Sequence, residues 1–95
     1  MSPIPAVTLL VPAPLRACCA GAAELPVSAS TVLELLDGLA RTHPALYRSV
    51  CDETGTLRRH LNVFVNADHV RDRDGLQTRL VDGDVITVLP AVSGG

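Results

Sequence analysis

The chain has no lysine and no tryptophan, and only one tyrosine (Tyr47) and one phenylalanine (Phe64). All eight of its basic residues are arginine. Without lysine side chains it cannot build lysine-linked chains of itself. Two aromatic residues and a net charge of −2 provide neither a base-stacking platform nor a basic field, so nucleic acid is not an expected partner. No stretch reaches the roughly 20 apolar residues that a membrane span needs. The apolar opening, Ile4 to Val11, is interrupted by Pro5 and flanked by Pro3, Pro12 and Pro14, and no positive charge precedes Arg16. It therefore does not read as a secretory signal, and the expectation is a cytoplasmic protein without a membrane partner.

Other absences concern chemistry. No glycine-rich phosphate loop is present, so ATP is not expected to bind this chain itself. Asp68, Asp72, Asp74, Asp82 and Asp84 lack the glycine and closing glutamate of a calcium loop. Cys18, Cys19 and Cys51 are odd in number and wrongly spaced for a metal site. In a reducing compartment they should be free thiols. His43, His60 and His69 are isolated from one another in sequence and read as surface or capping residues. No bound cofactor, no metal and no internal catalytic site are expected.

What is present is a folded domain. Ninety-five residues make one unit, and 47% apolar against 19% charged residues is the balance of a globule, not of a disordered segment. Ala6 to Val11 is a short β-branched run that reads as a strand, and Leu25 to Val27 as a second. Cys18 to Glu24, small and rich in glycine and alanine, reads as a loop. Thr31 and Glu34 have capping-box spacing, and Val32, Leu35, Leu36, Leu39 and Ala40 then recur on one helical face. Gly38 within that helix suggests close packing on a sheet. His43-Pro44 ends the helix, and Leu46, Tyr47 and Val50 suggest a short second one. Leu61, Val63 and Val65 alternate with Asn62, Phe64 and Asn66 as a half-buried strand does. Residues 69–71 suggest a short returning strand. Asp82-Gly83-Asp84 is a turn into a last strand from Val85 to Leu89, which Pro90 stops.

The given sequence finishes Val92-Ser93-Gly94-Gly95. Glycine carries no side chain and allows close backbone approach, so such an end can thread a narrow partner site. From Pro90 an extended tail spans about 20 Å, at roughly 3.3–3.6 Å per residue.

Three segments together resemble the sulfur-carrier family of ubiquitin-like proteins, the ThiS, MoaD and CysO type. They are Thr31 to Leu36, Val63 to Asn66, and above all the run from Asp82 through Pro90 to Gly95. The resemblance implies an α+β fold of the β-grasp (ubiquitin-like) kind. Its mixed sheet has four to five strands, with one main helix on one face. Residues 1–89 would form the domain and 90–95 a flexible tail. It implies a sulfur carrier that is a protein co-substrate, not an enzyme. An E1-like enzyme, using ATP, would adenylate the carboxylate of Gly95, with Gly94 as its required neighbour, and sulfur transfer would then give a thiocarboxylate. Phe64, Leu89, Pro90, Val92 and Ser93 are the candidate partner-binding residues; Arg58, Arg59 and His60 read as a solvated cluster, with a basic rim as the alternative.

The tail most resembles the CysO-type carrier for cysteine biosynthesis, which implies a cysteine synthase-like partner and a zinc protease. The alternatives are the small subunit of molybdopterin synthase, bound to the large subunit, and a ubiquitin-like protein modifier. A second proline after Pro90 would favour the molybdopterin role, but Ala91 stands there.

Overall fold

Alternation decides which side of each strand is buried. In a computed structural model that describes residues 4–90, Leu61, Val63 and Val65 are buried, and Asn62 and Phe64 between them are only half-covered. The same two-residue period runs through Val7 and Leu9 in strand β1 (Ala6–Leu10) and through Ile86 and Val88 in strand β5 (Val85–Pro90). With β2 (Glu24–Ser28), β3 (Leu61–Val65) and β4 (Asp68–His69) they form one sheet of order β2-β1-β5-β3-β4. β1 and β5 run parallel at its centre, and the other neighbours are antiparallel. This is the β-grasp arrangement, with helices on one face only.

Helix α1 (Val32–Thr42) supplies that cover. Its start meets the expected capping box in one half: Thr31 Oγ1 accepts the Glu34 N–H at 3.2 Å, whereas Glu34 Oε1 accepts the N–H of Ser30, one residue before the cap, at 2.9 Å. Val32, Leu35, Leu36 and Leu39 are buried against the sheet. Each such side chain contributes roughly 1.5–3 kcal/mol by leaving water. Helix α2 (Pro44–Val50) follows directly and buries Leu46 and Val50. Gly38 does not mark a close approach. A Cβ there would meet nothing within 4 Å, and the residue is half-covered.

Three local expectations are corrected. Residues Ala13–Cys19, expected in part as loop, form two turns of 3-10 helix, with a proline in the first turn where its missing N–H is harmless. Buried Cys19 anchors that segment, its thiol facing the carbonyls of Leu15, Arg16 and Ala22. The strand expected over residues 69–71 is displaced to Asp68–His69, and Val70–Asp72 is a 3-10 turn. His69 starts that turn by accepting the Arg71 N–H on Nδ1, which ends the pairing. Pro90 does not precede the break but is the last residue of β5, opposite Leu61. Because the Asn66 N–H bonds the Val85 carbonyl, alternate β5 residues 85, 87 and 89 bond β3, and position 90 needs no N–H on that side.

The two sheet edges are blunted. β2 carries Pro26 opposite Thr8, whose N–H is committed to the Asp84 carbonyl on the other side, so an N–H is missing from the outer edge. β4 is only two residues long.

The end of the sheet where β5 begins is tied by side chains. Asn66, in the left-handed region at φ 55°, accepts the Val85 N–H on Oδ1 and donates Nδ2–H to Asp84 Oδ1, both at 3.0 Å. Asp84 Oδ2 accepts the Val81 N–H at 2.9 Å, and Asp82 Oδ1 the Ala6 N–H at 2.8 Å. Asp84 is buried, yet each of its oxygens has a donor. Gly83, at φ 91°, makes the tight turn between the two acids.

Candidate functional site

The sheet face away from the helices is crossed by no described element. One row runs across it: Glu24 on β2, Leu10 on β1, Thr87 on β5, Phe64 on β3 and His69 on β4. A second pair, Asn62 and Leu89, lies one step closer to the end of β5. Leu89 is 45% exposed, a large apolar side chain held open one residue before the end of β5.

Phe64, a candidate partner-binding residue, is half-buried. Its ring meets the His69 imidazole edge-on, with centroids 5.0 Å apart and planes at 71°. His69 in turn is fixed at both nitrogens: Nδ1 accepts the Arg71 N–H, and Nε2 faces Asn62 Oδ1 at 3.0 Å. The tautomer with its proton on Nε2 satisfies both contacts. Phe64, His69 and Asn62 therefore form a rigid ledge beside Leu89. His69 capping was anticipated from sequence; its role in holding Phe64 was not, because only the hairpin register brings them opposite one another.

Pro90 pairs with Leu61, so residues 58–60 lead into β3 beside the end of β5. Arg58, Arg59 and His60 are exposed there. The Arg58 Nε donates to the Arg48 carbonyl at 2.9 Å, which turns that guanidinium toward the end of α2. Val92, Ser93, Gly94 and Gly95 lie outside the described residues, as does Ala91.

The thiols stay apart from this face. Cys51 is buried, and its pKa is pushed up to about 11 by burial first and by the Asp52 carboxylate second. It is a protonated, inert thiol at neutral pH. Asp52 is shifted the other way, below its ordinary value. The Thr54 hydroxyl is the main cause, followed by the Thr54 N–H, and the Thr56 N–H and Arg58 add smaller effects. These bonds order the 52–56 turn. Among the described residues, no group of three or more His, Cys, Asp or Glu gathers in metal-holding geometry. No helix among them is long and apolar enough to cross a membrane.

A β-grasp sheet with helices on one face, and no described element across the other, defines a ubiquitin-like protein. The particular family follows from the sequence: the chain belongs to the ThiS family, whose profile matches residues 9–95. It is 34% identical over 91 residues to the sulfur carrier protein CysO of Mycobacterium tuberculosis, covering 94% of this chain and 98% of that protein. Its fold superposes on a chain of the crystal structure of the Amycolatopsis orientalis BexX/CysO complex with a TM-score of 0.84 at 37% identity, covering 94% of this chain and 99% of that one. The small archaeal modifier protein 1 of Methanosarcina acetivorans is similar too, with a TM-score of 0.85 at 33% identity over 99% of this chain and 100% of that one.

Proposed function

We propose that this protein is a sulfur carrier whose Gly95 carboxylate is adenylated by an E1-like enzyme and converted to a thiocarboxylate. The thiocarboxylate then donates sulfur in the biosynthesis of cysteine or another small sulfur metabolite. The observation that carries this reading is that the family match extends through Gly95, directly beyond a strand that ends beside an open, partly apolar face. The likeness to CysO supports the choice of pathway.

The chemistry divides between the chain and its partner. A carboxylate is a poor electrophile at neutral pH, so it first gains a leaving group: its oxygen attacks the α-phosphorus of ATP and pyrophosphate departs. A sulfide equivalent from the donor then displaces AMP, leaving a thiocarboxylate. The partner supplies ATP, sulfur and exclusion of water from the acyl adenylate. This chain supplies a side-chain-free end and a body that docks. Leu89, with the Phe64–His69–Asn62 ledge, is the docking surface in this reading: an aromatic anchor and an open leucine, held rigid before the partner arrives. Pro90 sets where the tail departs, and Val92 and Ser93 lie along the entry path.

Intact-mass spectrometry of protein from its native host tests this. A mass gain of one sulfur in place of one oxygen, lost on deleting Gly95, is expected. Tails found only in amide links to other proteins, with no thiocarboxylate, would overturn it. That outcome would favour the second reading, a protein modifier, which the likeness to the archaeal modifier supports.

A further inference from the structure

The open face of the sheet is almost free of charge. All eight arginines lie outside the strands. Asp68, on β4, stands opposite buried Val65 and so belongs to the helix side. Glu24 is the exception. Exposed and opposite Leu10, it is the one carboxylate among the described strand residues turned to the open side. Every other such residue is apolar or carries a hydroxyl, an amide or an imidazole. That imidazole, His69, has both ring nitrogens engaged within the domain. Arg16 is tied by its Nε to the Val11 carbonyl at 3.1 Å, just past the end of β1.

Glu24 occupies a corner of this face. β2 lies two strands from β5, and Leu89 is two residues past Thr87 in the shared row, so the backbone diagonal from Glu24 to Leu89 is roughly 12 Å. The two residues act differently. Leu89 and half-buried Phe64 offer apolar contact, which is non-directional and leaves the rotation of the body against a partner open. A charge at the corner removes that freedom. Against an apolar or acidic surface the carboxylate loses water without compensation; against a guanidinium or ammonium group it is compensated.

We propose that the open face fits a partner surface that is apolar and uncharged except for one cationic side chain, which meets Glu24. This inference rests on the carrier reading and makes Glu24 the orientation residue of the docking face. It sets the angle at which the end of β5 meets the partner, while Leu89 and Phe64 supply the contact area. A second copy of this chain is a poor occupant, because its own open face offers Glu24 no arginine. A strongly basic partner surface is a poor one too, since a single carboxylate would leave its other cations unpaired.

The test is ATP–pyrophosphate exchange by the host's E1-like adenylating enzyme, with carrier concentration and salt varied. Wild type should support exchange, and deletion of Gly95 should abolish it. The wild-type KM for the carrier should change less than about twofold between roughly 50 and 200 mM salt, because one charged pair is involved. Glu24→Arg should raise KM about tenfold at low salt with kcat retained, and added salt should lower that KM by screening the repulsion. Glu24→Asp should stay near wild type. Glu53→Arg makes the same change in net charge on an exposed residue of the 52–56 turn and should leave KM unaltered. Glu24 is exposed, so thermal midpoints of its variants should match wild type. If the Gly95 deletion fails but Glu24→Arg keeps the wild-type KM, or Glu53→Arg raises KM equally, the orientation role is wrong and the carrier reading stands. Light scattering that gives a dimer, reverting to one chain with Leu89→Ser, would overturn it in favour of a second copy. If exchange is indifferent to Gly95, the carrier reading is wrong and this inference falls with it.

Discussion

The two faces of the sheet are made by alternate residues of the same strands and have opposite characters. Toward the helices, Val7, Leu9, Val63, Val65, Ile86 and Val88 are all buried beneath α1 and α2. On the other side, Thr8, Leu10, Phe64, Val85 and Thr87 are half-covered and Leu89 is open. One face holds the domain together, and the other leaves apolar surface in water. A one-residue shift along β5 therefore separates a buried residue that holds the fold from one that contributes little to it.

The sharpest way to break that contrast is to cut matched residues on the two faces. Ile86→Ala removes a fully buried side chain at the sheet centre and should cost about 2–5 kcal/mol in urea denaturation. A loss under about 0.5 kcal/mol, within the range of a surface change, would mean that the helix face is not the core. Next comes an exception to the rule. Asn66 continues the open-face period of β3, yet its amide ties β3 to β5 through Asp84. Asn66→Ala leaves Asp84 Oδ1 without that donor and places alanine at φ 55°, and should cost about 1–3 kcal/mol. Equal stability to wild type would place Asn66 with the docking residues instead.

On the open face, Leu89→Ser should leave stability within about 0.5 kcal/mol of wild type while weakening capture by the activating enzyme, measured by titration calorimetry. Unfolding on this change, or unaltered capture, would erase the distinction between the faces. The smallest effect belongs to the Asp52 turn, outside both faces. Asp52 has a lowered pKa in the fold, so its contribution is present above its unfolded pKa and is lost as pH falls through the folded one. Amide exchange over residues 52–56 should accelerate in acid relative to the intrinsic rate, and Asp52→Asn should remove that dependence.

Much of this contrast could be read from sequence because it is periodic. Leu61-Asn62-Val63-Phe64-Val65 shows its two faces without a structure, and Thr31 with Glu34 marks the start of α1. The 3-10 segment could not be read the same way. Pro12 and Pro14 resemble breakers, and only packing on α2 reveals that they open a helical turn. His69 holding Phe64 depends on strand register, which no local motif specifies. For the site itself, Leu89 and the alternation around Phe64 were legible. Residues 92–95 rest on the family match, because they lie outside the described residues.

The central place of β5 has a bearing on manufacture. Its neighbours, β1 and β3, are contributed by the beginning and the later middle of the chain, and they touch only through it. Until residues 85–90 have joined, β1 with β2 and β3 with β4 are two pieces with no strand between them. A shortened product lacking residues 85–90 fails to close and is open to proteolysis. Closure of the sheet therefore waits on the last described strand, and the open face exists only once β5 has joined.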